Sequence, residues 1–126
     1  MIEIALLTLL KGTSAGKRIY PLSIPFKVQY PALTYQRISN AGHHDIDVAY
    51  PRVQFTAWSD ELISARQLAG EVESRLRRYK GVIDGYRIKQ IVKLPSPGDL
   101  FDREAGEAGI YYIPVDYRVI YEKELI

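Results

Sequence analysis

Apolar and polar positions along the chain fall into two periods. In residues 32–39 (ALTYQRIS) and 51–58 (PRVQFTAW) side-chain character alternates, and Val, Thr, Tyr, Phe and Trp are frequent, the pattern of strands with one buried face. The stretch between them is polar, with Asn40, Gly42 and the run His43-His44-Asp45, so the pair predicts an antiparallel hairpin with a long tip. Two further alternating runs, residues 85–94 and 110–121, predict two more strands, the second with Tyr111, Ile113, Val115, Tyr117, Val119 and Tyr121 on one face. Pro114 inside that run predicts an edge position or a bulge, because proline cannot donate to a ladder.

The second period is helical. Leu62, Ala65, Leu68, Ala69, Val72, Leu76 and Tyr79 recur at steps of three and four, which predicts an amphipathic helix with one buried face. Ser59 or Asp60 is its expected cap, Asp60 and Glu61 supply acid at its start, Arg75, Arg77, Arg78 and Lys80 supply base near its end, and Gly81 closes it. A shorter apolar run at residues 2–11 predicts a helix burying Leu6, Leu9 and Leu10 and closed by Gly12. Pro21, Pro25 and Pro31 rule out a regular helix in the next segment and predict an extended, wrapping connection. The expected order is α-β-β-α-β-β. It describes an α+β fold, an antiparallel sheet of about four strands with the short N-terminal helix and the longer helix packed on one face, as a single domain over residues 1–126. The N-terminal apolar run is too short for a membrane span and has no preceding basic residue, so a cytoplasmic chain without a secretion signal is expected.

Composition adjusts this picture in three ways. With 126 residues, 47% of them hydrophobic, the chain can bury roughly two-thirds of its unfolded surface without staples. It has no cysteine, which removes disulfides, thiol catalysis and cysteine-ligated zinc. Ten aromatics are Tyr against three Phe and one Trp, a bias toward apolar bodies with polar tips, suited to half-exposed sheets and interfaces. The net charge of +2 hides an uneven distribution: residues 75–93 hold seven basic side chains against Asp84, and residues 99–109 hold four acids against Arg103. Such poles suit a chain that repeats head to tail around a ring.

Candidate chemistry is sparse. Gly12-Thr13-Ser14-Ala15-Gly16-Lys17 imitates a phosphate loop but has three residues between its glycines instead of four, Arg18 where Ser or Thr belongs, and a helix before it instead of a strand. His43, His44, Asp45 and Asp47 have metal-binding side chains, yet adjacent histidines in an extended loop point apart, so a solvated tip is expected. Asp99, Asp102, Glu104 and Glu107 gather on a loop with three glycines rather than as a pair of carboxylates in contrasting environments. No nucleophile motif is present. No catalytic residue, cofactor or metal ligand is therefore assigned, and the chain is read as a non-enzyme. Basic residues beside Tyr79, Tyr86 and Tyr117 leave a small nucleic-acid-binding domain as an alternative, although the element order differs from that of the common RNA-binding sheet domain.

The order of particular runs carries more than their count. A short Leu-rich helix is followed by Lys17-Arg18-Ile19-Tyr20-Pro21, Pro25, and residues 30–39 (YPALTYQRIS); then come residues 52–59 (RVQFTAWS), the helix, and the last strand with its Asp116-Tyr117-Arg118-Val119 core. This succession resembles the tail-completion, or tail terminator, proteins of long-tailed phages over nearly the whole chain. The resemblance implies a phage or prophage structural protein that caps the tail tube, ends its elongation and joins tail to head, commonly as a hexameric ring, located in the virion tail and in the host cytoplasm during assembly. Its implied partners are further copies of itself, the tail tube protein and the head connector or completion protein, with DNA in transit and no membrane; another virion adaptor, a head-completion or minor tail protein, is the nearest alternative. On that footing Tyr111, Tyr117, Arg118 and Tyr121 are candidate subunit contacts, and Asp99, Asp102, Glu104 and Glu107 a candidate lumen loop that repels passing DNA.

Overall fold

The computed structural model describes residues 1–39, 42–43, 48–102 and 109–123. In chain order the elements are α1 (Ile2–Leu10), β1 (Ile19–Pro21), β2 (Ala32–Ser39), β3 (Gly42–His43), β4 (Val48–Ala49), β5 (Arg52–Ser59), α2 (Leu62–Leu76), β6 (Gly81–Ile83), β7 (Tyr86–Lys93), β8 (Leu100–Asp102) and β9 (Ile110–Lys123). The strands form one nine-stranded sheet, which corrects the expected antiparallel sheet of about four strands and the order α-β-β-α-β-β. The sheet is mixed, because β1 runs parallel to β2; the segment expected as an extended, wrapping connection thus supplies a strand. The other additions, β3, β4, β6 and β8, span two or three residues each, too few to display a period in sequence.

β9 organises the sheet. Along one edge it pairs antiparallel with β5 over residues 111–118, and β4 continues the same edge at Tyr121 and Glu122, with the Val119 N–H donating to the Pro51 carbonyl between them at 3.1 Å. Along the opposite edge it pairs with β8 at Ile110, Tyr111 and Tyr112 and with β7 from Tyr117 to Lys123. Pro114 therefore lies in a central strand, not on an edge. Its place has a geometric reason. The Asp116 carbonyl accepts from the Leu94 N–H, so Asp116, and Pro114 two residues before it, turn their backbone groups away from β5. The N–H that proline lacks would point into the interval between β8 and β7, where neither strand has a register partner for Pro114.

Both helices cover one face of the sheet. That face carries Val53, Phe55 and Ala57 from β5 and Ile113, Val115, Tyr117 and Val119 from β9, and it meets Ala65, Leu68, Val72 and Leu76 of α2 and Ile2, Ala5, Leu6 and Leu10 of α1. Ile88 and Ile91 both enter this core although they are three apart, because the β7 register slips between Ile88 and Gln90 and the extra residue turns the strand over. Glu3 of α1, 5% exposed, meets Arg37 of β2 through contacts of 2.7, 3.0 and 3.2 Å; burial of the carboxylate is offset by these charge-assisted bonds.

The helix ends depart from expectation. α2 starts at Leu62 with Glu61 at the cap position and no side-chain cap; the Ser59 hydroxyl instead accepts from the Glu61 N–H at 3.2 Å. Arg75, expected to complement its own helix, donates to the Leu9 and Gly12 carbonyls at the end of α1. A Cβ at Gly12 would lie 2.7 Å from that guanidinium, so the glycine lets the Arg75 side chain approach closely and is not a left-handed cap.

Two substitutions test the packing. Leu68→Ala in the fully buried stripe should cost about 2–5 kcal/mol in urea unfolding, whereas Ile63→Ala, at 78% exposure on the same helix, should stay within about 0.5 kcal/mol of the parent. The Tyr117 ring is fully buried, burial raises its phenol pKa well above the ordinary value, and its hydroxyl has no hydrogen-bond partner among the described residues. Tyr117→Phe keeps the shape and removes the unpartnered group, so it should leave stability unchanged or raise it by about 1 kcal/mol; a loss as large as that of Leu68→Ala would refute this account of the site.

Candidate functional site

The face of the sheet away from the helices is polar and carries an ordered ladder. Asp116 on β9 stands opposite Gln54 on β5; one carboxylate oxygen accepts from Gln54 Nε2 at 2.9 Å and the other from Arg52 Nε at 2.5 Å. Next along the strands, Trp58 stacks on Tyr112 with ring centres 4.9 Å apart, and its Nε1 donates to Thr34 Oγ1 at 2.9 Å. A groove of about 190 Å³ runs between these side chains, lined by Leu22, Thr34, Gln54, Trp58, Tyr112 and Pro114 among others. Alternation in β5 and β9 marks these residues as the polar set of each strand. What it does not reveal is that β2 brings Thr34 across to Trp58. The result is a hydrogen-bonded surface suited to protein contact, on which both Asp116 oxygens are engaged.

The four candidate contact residues of the last strand do not share one surface. Tyr117 is fully buried and offers nothing to a partner. Tyr111 and Tyr121 are half-buried on the helix-covered face, where Tyr111 packs on Phe101 and Tyr121 meets Tyr86 edge-on at 5.1 Å. Burial raises the Tyr121 phenol pKa. Arg118 lies on the opposite, polar face, with its guanidinium donating to the Tyr50 carbonyl at 2.9 Å. Of the candidate lumen residues, Glu104 and Glu107 lie outside the described residues. Asp99 accepts two bonds from Arg66 at 2.5 and 3.0 Å, and that hydrogen bonding, with the Asp99 charge, raises the pKa of Arg66. Asp102 ends β8.

Fold topology separates the two charge poles. β8 and the start of α2 lie at the Tyr111 end of β9, where Tyr111 is register partner to both Phe101 and Ser59. The β6–β7 hairpin lies at the other end, with Ile88 against Tyr121. Ten extended residues separate these points, roughly 33 Å. Part of the basic run is neutralised within the chain: Arg77 and Lys93 approach Glu73 at 3.6 and 3.5 Å, and Arg87 and Lys89 approach Glu122 at 3.6 and 3.5 Å. Such pairing lowers the field available to a nucleic-acid backbone. Arg78 and Lys80 are exposed and have no ion-pair partner among the described residues.

The remaining sequence candidates are accounted for in part. In the phosphate-loop imitation the Ser14 N–H donates to Glu71 Oε2 at 2.7 Å and the Ser14 hydroxyl to the same carboxylate, so an acidic side chain occupies the position a phosphate needs. His44, Asp45 and Asp47 lie outside the described residues. Among the described residues no cluster of three or more potential metal ligands occurs, and no helix is long and apolar enough to cross a membrane.

The fold is shared with a chain from the virion of a native gene transfer agent particle, at a TM-score of 0.73 and 15% identity, over 96% of this chain and 94% of that one. No curated protein matches the sequence. The family model described as tail completion protein gp17 matches residues 4–122, nearly the whole chain, and the chain belongs to that tail completion family.

Proposed function

We propose that this chain is a structural protein of a phage or phage-like virion tail that caps the tail tube, ends its elongation and presents the surface that joins tail to head, as a hexameric ring. The observation that carries the reading is the family match over residues 4–122; a likeness to a gene transfer agent virion chain and the absence of an assembled catalytic constellation among the described residues agree with it. Assembly occurs in the host cytoplasm and the mature location is the virion tail. The partners are other copies of this chain, the tube protein on one ring face and the head connector or completion protein on the other, with DNA passing through the lumen.

The physical task sets what each surface does. A cap stops polymerisation when one face matches the last tube ring and the other does not offer the tube's own surface again. The polar sheet face, with Arg118, the Arg52–Asp116–Gln54 ladder and the Trp58–Tyr112 stack, is rigid enough to serve as such a matching surface. The acidic stretch from Asp99 to Glu107 is assigned to the lumen in this reading. Asp99 is paired with Arg66, so repulsion of DNA rests chiefly on Glu104 and Glu107.

Particles produced without this chain should carry tubes longer than normal and unattached to heads, and adding the purified chain should restore both length and joining, as read by negative-stain electron microscopy. Tubes of normal length joined to heads would overturn the proposal. A second expectation concerns charge. The parent chain should not retain duplex DNA on a filter at physiological salt, whereas Glu104→Lys combined with Glu107→Lys should retain it with an affinity that falls steeply as salt rises.

A further inference from the structure

The two ends of the molecule differ in shape as well as in charge. At the basic end, the last turn of α2 and the residues after it surround an open hollow of about 390 Å³ lined by Glu73, Ser74, Arg77 and Arg78. Lys80 and Val82 follow Arg78 closely in the chain, both exposed, and Val82 is 50% exposed on β6, which pairs with β7. Glu73, the acid among the described lining residues, is engaged by Arg77 and Lys93. At the acidic end, α2 begins with Asp60 and Glu61, both exposed, followed by Ile63 at 78% exposure. Neither carboxylate has an ion-pair partner among the described residues, and Phe101, 42% exposed, sits on β8 at the same end of β9. Each end thus sets an apolar residue beside unpaired charges of one sign, and the signs are opposite.

We infer that a second copy of this chain occupies the hollow, with the Asp60–Glu61–Ile63 corner of one copy seated between Arg78, Lys80 and Val82 of the next. This rests on the ring reading and adds the contact that builds it. Two different surfaces meet, so the interface is heterologous and propagates head to tail until a rotation closes it. Like-charge collision disfavours the reversed, two-fold arrangement, in which acidic corner meets acidic corner. Ile63 also has no role in the core of its own chain, since the buried stripe of α2 is Ala65, Leu68, Val72 and Leu76.

The absence of cysteine makes the contact directly testable. Ile63→Cys and Ser74→Cys stand eleven positions apart on one helix, roughly 16 Å, far beyond the reach of a disulfide within a chain. Tails assembled with the double variant I63C/S74C, mildly oxidised and run without reductant, should give a ladder of covalent oligomers, each single variant no more than dimers, and the control I63C/F26C no ladder. Adding R78E and K80E to the double variant should abolish the ladder. Bands no higher than the control's from I63C/S74C would overturn the inference. The copy number of the unmodified chain per tail, measured on the same preparations by mass, separates the two failures: several copies without a ladder leave the ring standing and remove this contact, and one copy removes both.

Discussion

A single strand, β9, hydrogen-bonds four others, with β5 and β4 on one edge and β8 and β7 on the other. Its alternation then assigns everything else. Odd-numbered residues from Ile113 to Val119 enter the core beneath α2, and Asp116 and Arg118 between them build the polar face. Because period two ties the faces together, a register slip of one residue would exchange core and surface along the whole strand. Register is held from both sides: the Phe55–Tyr117 edge contact, at 6.1 Å between rings, holds the apolar face, and the Asp116 contacts to Arg52 and Gln54 hold the polar one. The two ends of β9 are thereby set at a fixed distance, as the proposed head-to-tail contact requires.

Much of this frame was legible in the sequence. The runs read as strands correspond to β2, β5, β7 and β9, and the three-and-four spacing of Leu62 to Leu76 corresponds to α2, because long elements with one buried face declare their period. The parallel pairing of Ile19-Tyr20-Pro21 with Leu33-Thr34-Tyr35 was not legible, since three residues among prolines carry no period and parallel pairing depends on tertiary context. Pro114 misled for a related reason. Local chemistry forbids a donor at that position but does not say that β7 and β8 part there. The β7 slip near Lys89 broke alternation in the same way, and Arg75 was assigned to its own helix because sequence separation conceals the end of α1.

The candidate site was legible at the level of charge and not of contact. Opposed poles in residues 75–93 and 99–109 follow from counting, and the topology places β8 and the β6–β7 hairpin toward opposite ends of β9. Counting could not show that Glu73 and Glu122 would neutralise four of the basic residues, nor that Tyr117 would be the buried member of a tyrosine-rich strand. Exposed apolar residues gave a fainter signal. Ile63 falls off the buried stripe of α2, and Val82 precedes a buried Ile83, so both can be found by asking which apolar residues the helical and strand periods leave over. These left-over residues, beside unpaired charge, are where the inferred contact between copies is placed.

The central claim is that this chain closes the tube as a ring of identical copies, and a cryo-EM reconstruction of the head-proximal end of intact tails tests it most directly. The account predicts one closed layer between the last tube ring and the head, fitted by repeated copies of this fold with the α2 start of each against the β6–β7 hairpin of the next. Finding this chain at the opposite end of the tail, or as isolated copies that do not touch, would contradict it.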